Sequence, residues 1–457
     1  MSDYQVNNPA TGELEATYPT ATEQDIQQVI EQADTAYQSW RHVPLNERSA
    51  LLHKVADIYL DRQEDLARIV ANEMGKPVAQ AKGEIGLVAD IYRYYADNAE
   101  QLLAPNTIDV DSGSASVEKR PVGALLGIMP WNYPHYQVAR FVAPNVMAGN
   151  TIILKHAPQC PQTAEIIVDI LKDAGLPDGV YNNVFATNEQ SATIINDTRV
   201  QGVSLTGSER AGQAVAKEAG GALKKVVLEL GGSDAFIVTA DADIEKSVQR
   251  AISGRFGNVG QACNAAKRLI IVDDVYDQFV QAFTDNVRAM TLADPLDEQT
   301  FIGPMSSKAA ADGLQQQLDS AIQAGATVLV EGGIVTDKPG AWFAPAVLTD
   351  VTESMDVYRQ ELFGPVAVIY KARDIDHAIQ IANDVPFGLG ASIQTQNPEL
   401  AADIAEKLEV GMVTINAPSG SEANTPFGGV KRSGFGRELG TLGITEFLNY
   451  KLIRNKS

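Results

Sequence analysis

Several residues of this 457-residue chain stand in settings that suit covalent chemistry. Cys263 closes the segment Asn258-Val-Gly-Gln-Ala-Cys263, where Gly257 and Gly260 bracket a turn. A lone cysteine is usually a small buried hydrophobe. A turn, however, can present a thiol in a cleft, where a nucleophile finds the exposure and positive potential it needs. Glu229 ends the apolar run Lys225-Val-Val-Leu-Glu229 and precedes Gly231-Gly232. A carboxylate there reads either as a loop-bonding group or as a general base whose proton affinity burial raises. Asn132, inside Pro130-Trp-Asn-Tyr-Pro134, is either an Asx turn or a rigid amide donor to an oxyanion. Thr206-Gly-Ser-Glu-Arg-Ala-Gly212 follows a strand-like run and opens a helix. It suits a helix cap at Ser208 or a phosphate cradle, although it is not the GxGxxG pattern.

The surrounding pattern predicts the elements that position these groups. Thr22 caps a helix with Asp25 in its first turn, and Ile26, Val29, Ile30, Ala33, Tyr37 and Trp40 recur at helical spacing. A second helix runs from about Asn46. A third ends near Met74, where Gly75-Lys76-Pro77 is a stop signal, and a fourth spans Glu84 to Leu103. From Ala124 onward short apolar runs alternate with helical stretches, which implies parallel, doubly wound sheets. The alternation restarts after Gly232, placing a lobe boundary near residue 230. Asp109 to Lys119 is polar and alternating, as in an exposed hairpin. The tail from Thr445 could add an edge strand, and these two segments are candidates for a subunit contact.

Bulk properties narrow the class. The length calls for two large lobes. Acidic residues outnumber basic ones 58 to 36, for a net charge of −22, which argues against nucleic acid and anionic membrane surfaces as partners. No apolar run approaches the ~20 residues of a bilayer span, and the polar N-terminus lacks a signal-peptide core. Two cysteines, Cys160 and Cys263, fit a reducing cytoplasm. The five histidines are scattered without ligand spacing, so no metal is expected.

Six motifs occur in the order seen in the aldehyde dehydrogenase superfamily. They are Pro130-Trp-Asn-Tyr-Pro, Leu205-Thr-Gly-Ser, Leu228-Glu-Leu-Gly-Gly, Gly260-Gln-Ala-Cys, Glu361-Leu-Phe-Gly-Pro-Val and Pro426-Phe-Gly-Gly-Val-Lys-Arg-Ser-Gly-Phe-Gly-Arg-Glu438. The resemblance runs from about Asn8 to the C-terminus. It implies a Rossmann-like cofactor domain (1–104 and 121–229), a catalytic domain (230–438) and a small β oligomerisation element (105–120 and 439–457). The implied assembly is a homodimer or homotetramer. Cys263 would attack the aldehyde carbon, Asn132 and the Cys263 amide would hold the oxyanion, and Glu229 would activate the water that releases the acid. For a nicotinamide cofactor, Trp131 lies in the binding site. Lys155 would bond the adenosine ribose, Gly207 and Ser208 would meet the pyrophosphate, Glu361 would bond the nicotinamide ribose, and Phe363 would pack beside the ring. Glu438 matches a proton-relay position of some members.

The substrate clue is Arg140, in the otherwise apolar run Val138-Ala-Arg-Phe-Val-Ala. A guanidinium there needs an anionic partner and grips carboxylates well. Arg140 is similar to the arginine that holds the substrate carboxylate in succinate-semialdehyde dehydrogenases, with Ser421 nearest to their carboxylate-binding serine. Two departures stand out. Gly257 replaces a second arginine six residues before the cysteine, with Arg255 nearby, and Ala265 replaces the cysteine of a redox switch. The alternatives are glutarate semialdehyde or medium aliphatic aldehydes, a CoA-acylating dehydrogenase, or an inactive binding protein. Pro158 stands where members preferring NAD carry a glutamate, so NADP meets no like charge there. Lys155 and His156 could assist its phosphate, and use of both NADP and NAD, leaning to NADP, is expected.

Overall fold

The computed structural model describes residues 4–456. Helix α1 (Glu23–Trp40) opens with a reciprocal capping box between Thr22 and Asp25, and Ile26, Val29, Ile30, Ala33 and Trp40 form its buried stripe. Helices α2 (Leu45–Asp61) and α3 (Gln63–Met74) follow, the latter stopped by Gly75 in the left-handed conformation. Helix α4 (Val78–Leu103) begins six residues before the expected Glu84. Its second turn holds Gly83, a poor helix former that hides the start, while Pro77 just upstream fixes it.

Strands β1 (Asn106–Ile108) and β2 (Ser114–Pro121) make the hairpin, and the C-terminal strand pairs along the whole of β2. The first large sheet is built from β3 (Ala124–Ile128), β4 (Thr151–Lys155), β5 (Tyr181–Asn183), β6 (Val200–Thr206) and β7 (Lys225–Glu229). Its spatial order is β7-β6-β3-β4-β5, all parallel. The order reverses at β3, so a crevice opens between the carboxyl ends of β3 and β6, where α/β sheets of this kind bind ligands.

The second sheet holds β8 (Asp234–Val238), β9 (Ala266–Val272), β10 (Thr327–Val330), β11 (Ala346–Thr349), β12 (Val366–Ala372), β13 (Gly390–Gln394) and β14 (Met412–Ile415), in the order β10-β11-β12-β9-β8-β13-β14. Only β10 runs antiparallel to its neighbour. Strands β4, β8, β9 and β13 are buried along their whole length, which explains their unbroken apolar character. The chain then returns to the first sheet. Strand β15 (Gly434–Phe435) pairs antiparallel with Glu229 and Leu228 of β7, and β16 (Leu448–Asn455) closes the three-stranded sheet on β2. The two-residue β15 is too short to show a period in the sequence. The structure thus brings residues 434–438, reached through the second lobe, back against the end of β7.

Candidate active site

Strand register sets the stage. Ile128 of β3 pairs with Lys155 of β4 and Leu205 of β6, and Thr206 pairs with Glu229 of β7. The loops that follow these strands therefore emerge at one rim. Pro130-Trp-Asn leaves β3. Gly207-Ser208 leaves β6, with the Gly207 amide donating to the Glu229 carbonyl at 2.9 Å. Ser208 caps helix α6 (Glu209–Gly221), its hydroxyl accepting from the Ala211 amide. Lys155 is nearly buried, 5.8 Å from the Tyr4 ring. Trp131 meets Phe363 edge-on at 5.7 Å.

Cys263 enters from the other lobe. Helix α7 (Ile244–Phe256) ends in a turn over Gly257–Gly260, where Asn258 and Val259 adopt φ of 51° and 56°. A β-branched residue in that region is strained, and such strain survives only where surrounding contacts impose it. Asn258 Nδ2 donates to the Asn132 carbonyl at 2.8 Å, and Asn132 Nδ2 donates to the Gln261 carbonyl at 3.0 Å. The expected oxyanion donor is thus locked onto the nucleophile's loop, with the second hydrogen of its amide remaining.

The thiol lines a cavity of about 320 Å³ shared with Tyr136, Arg140, Ser421, Phe427 and Gly257. Burial pushes the thiol up to about 12, against the pull of Arg140 and Lys267. Glu229 is buried, neither carboxylate oxygen accepts a hydrogen bond, and burial raises its carboxyl well above the ordinary range. A basic carboxylate near a poorly ionised thiol suits proton abstraction from water or from sulfur.

Arg140, on helix α5 (Tyr136–Ala148), lines the cavity and is held through each of its three nitrogens, which leaves one N–H on each terminal nitrogen. It is ion-paired with Glu438 and donates to Thr206 Oγ1 at 3.2 Å and Tyr136 Oη at 3.3 Å. Burial works against its charge, and the Glu438 carboxylate holds it above its ordinary value. Glu438, expected as a proton relay, is therefore bound in an ion pair and also accepts from Ser204 at 3.3 Å. Tyr136 Oη donates to Ser421 Oγ at 2.8 Å. The structure joins Arg140 and Ser421, the two expected carboxylate-binding residues, through a tyrosine that the sequence reading missed. Its signal was present: Tyr136 lies one turn before Arg140.

The structure decides the place of Arg255, which the sequence left open, and corrects the expectation for His156. Arg255 does not reach the cavity. Its guanidinium donates to the carbonyls of Leu362, Gly364 and Val366 and so ties down the Glu361–Val366 loop. Gly257, in the other arginine position, faces open space. His156 cannot assist a phosphate. It is fully buried, with Nε2 at 2.9 Å from the Pro134 carbonyl and Nδ1 accepting from Ala157, and burial lowers it to about 4.

Lys267 was also missed. It is buried, donating to the carbonyls of Ala262 and Cys263 and pairing with Glu361 at 3.0 Å. Two cations, Lys267-Arg268, opening the apolar run Leu-Ile-Ile-Val were the available signal.

The aldehyde dehydrogenase family model matches residues 1–453. The chain belongs to the aldehyde dehydrogenase family. This aldehyde dehydrogenase is 50% identical over 447 residues to the succinate-semialdehyde dehydrogenase [NADP(+)] of Deinococcus radiodurans, covering 98% of this chain and 94% of that protein. It is 42% identical to the succinate semialdehyde dehydrogenase [NAD(P)+] Sad of Escherichia coli K12, covering 98% and 96%. Among solved structures, the succinic semialdehyde dehydrogenase of Streptococcus pyogenes in complex with NADP+ superposes with a TM-score of 0.97 at 41% identity, covering 99% of this dehydrogenase and 100% of that chain.

Proposed function

We propose that this aldehyde dehydrogenase oxidises succinate semialdehyde to succinate, with NADP+ preferred and NAD+ accepted. The observation that carries this reading is the single cavity that has the Cys263 thiol on its wall together with the linked Arg140, Tyr136 and Ser421 polar groups. A four-carbon chain with an aldehyde at one end and a carboxylate at the other suits that pairing of a nucleophile with anion-binding donors.

The rim residues fit a nicotinamide dinucleotide. Ser208 and the α6 amides would meet its pyrophosphate, Lys155 its adenosine ribose, and Glu361 its nicotinamide ribose, with Trp131 and Phe363 lining the ring's approach. Pro158 presents no carboxylate to a 2′-phosphate, and the named relatives use NADP(+) or NAD(P)+. When bound, the nicotinamide supplies a two-electron oxidant that accepts hydride from the substrate carbon.

The protein's own groups do the rest. Cys263 adds to the aldehyde carbon after losing its proton, and Glu229 is the buried base nearby. The Asn132 amide and the Cys263 backbone amide hold the developing oxyanion. After oxidation the substrate is a thioester on Cys263. Glu229 takes a proton from water, which attacks the acyl carbon and expels the thiolate.

Initial rates with succinate semialdehyde and with butanal, each with NADP+ and NAD+, test the reading. A kcat/KM for the semialdehyde at least tenfold above butanal supports it. Equal values, or no reduction of either nucleotide, would overturn it.

The sheet of β1, β2 and β16 is proposed as the contact of a homodimer or homotetramer. It leaves Tyr450, Leu452 and Ile108 exposed on one face, an apolar group that a second subunit would cover; light scattering of the chain and of Leu452→Asp tests this. Cytoplasmic residence is proposed from the two unpaired cysteines. Among the described residues no helix is long and apolar enough to cross a membrane.

A further inference from the structure

We propose that Lys267 is a positioning residue that ties the main chain of the nucleophile to the carboxylate of Glu361, so that one ammonium sets the thiol relative to the cofactor's nicotinamide ribose. The cofactor half of this statement rests on the dehydrogenase reading above.

Three observations carry it. First, the Lys267 ammonium has three hydrogens and three acceptors: Ala262 O and Cys263 O at 2.7 Å each, and Glu361 Oε1 at 3.0 Å. Its side chain is only 1% exposed, so water cannot substitute for a lost partner. Second, the Glu361 carboxylate is divided. Oε1 is held by Lys267 and by the Gly232 amide at 3.1 Å. The side chain nevertheless stays one-fifth exposed, so it can accept a ligand hydroxyl while remaining anchored. Third, the anchor points belong to different segments. Gly232 follows the strand that ends in Glu229, and a Cβ at that glycine would lie 2.6 Å from the Cys263 carbonyl. Nucleophile and cofactor clamp therefore meet on one buried cation, beside the segment that follows the base.

The arrangement differs from an ordinary structural ion pair. Two of the three bonds go to the carbonyls of the nucleophile and of the residue before it, and the third goes to the residue that the ligand would touch. The positive charge also acts on the sulfur, whose other charged neighbours are Arg140, Glu229 and Glu361. Removing Lys267 takes away attraction for the thiolate. Removing the Glu361 charge leaves that attraction less opposed. The two ends of one link thus predict opposite effects on sulfur reactivity and the same direction of effect on cofactor affinity.

The test uses the full chain without aldehyde. The rate of Cys263 alkylation by iodoacetamide is measured at fixed pH, and the NADP+ dissociation constant by equilibrium dialysis, for Lys267→Met, Glu361→Gln and the double variant. Lys267→Met is expected to slow alkylation several-fold and Glu361→Gln to speed it. Each should weaken NADP+ binding by roughly tenfold, in line with a lost hydrogen bond to a charged group. The double variant should lose less than the product of the two, because the second change removes a partner already uncoupled. Unchanged alkylation in both single variants, or dissociation constants that multiply fully, overturns the proposal. If Lys267→Met does not fold, Glu361→Gln decides alone: faster alkylation with weaker binding supports the link, and unchanged alkylation overturns it. If the unmodified chain binds no NADP+, the cofactor reading has failed, and the alkylation rates still judge the link between Lys267 and the thiol.

Discussion

The guanidinium of Arg140 and the carboxylate of Glu438 form an ion pair in which both side chains are almost completely excluded from water. Breaking a buried pair from one side strands a charge, at a cost of about 3–5 kcal/mol. Arg140→Leu is therefore expected to lose two properties together: the preference for the acidic aldehyde over butanal, and a substantial part of thermal stability at neutral pH. Adding Glu438→Leu should restore most of the melting temperature without restoring the preference. A single variant as stable as the parent would show that Glu438 is not held as described.

Glu229→Gln separates the two halves of the reaction. Above pH 8 the growing thiolate fraction still lets the thiol be acylated, but water lacks its base, so kcat should fall by about 10²–10⁴. Denaturing mass spectrometry should then find succinyl-Cys263 accumulating. Stability should move the other way. Burial raises the Glu229 carboxyl above its ordinary 4.5. A folded-state value raised in this way gives stability that is fully present below 4.5 and is lost as pH climbs through the folded value. Melting temperatures of parent and variant should accordingly diverge in the variant's favour as pH rises.

Thiol reactivity without cofactor should have no neutral plateau. With Cys263 pushed up to about 12, the thiolate fraction grows about tenfold per pH unit between pH 7 and 9. Iodoacetamide rates should follow it. Levelling off below pH 8 would mean that the sulfur is ionised far more easily than its surroundings indicate.

Cofactor choice should turn on Pro158, since buried His156 offers a phosphate nothing. Pro158→Glu sets a like charge near the 2′-phosphate and lets a carboxylate meet a 2′-hydroxyl. The ratio of kcat/KM for NADP+ over NAD+ should drop at least about tenfold. Because the Pro158 carbonyl also accepts from Gln5, the melting temperature serves as the control for local distortion.

How much of this was legible in the linear chain follows from what each signal reports. Periodic burial and local turn chemistry act over a few residues, so the capping box at Thr22, the stop at Gly75, the hairpin before β3 and the alternating strands could all be read directly. The same holds for Cys263, Glu229 and Asn132, each marked by glycines or prolines that hold its own backbone. What the sequence by itself determined was therefore the two α/β lobes and the set of groups available for chemistry. The tertiary structure alone decided the partners. Arg140 meets Glu438 because β15 crosses back to β7, Tyr136 bridges to Ser421 across the cavity, Arg255 turns away to hold a loop, and Lys267 closes on Glu361. Those pairings rest on desolvated charges finding the nearest acceptor in three dimensions, and a charged residue's partner across lobes leaves no period or local pattern in the chain.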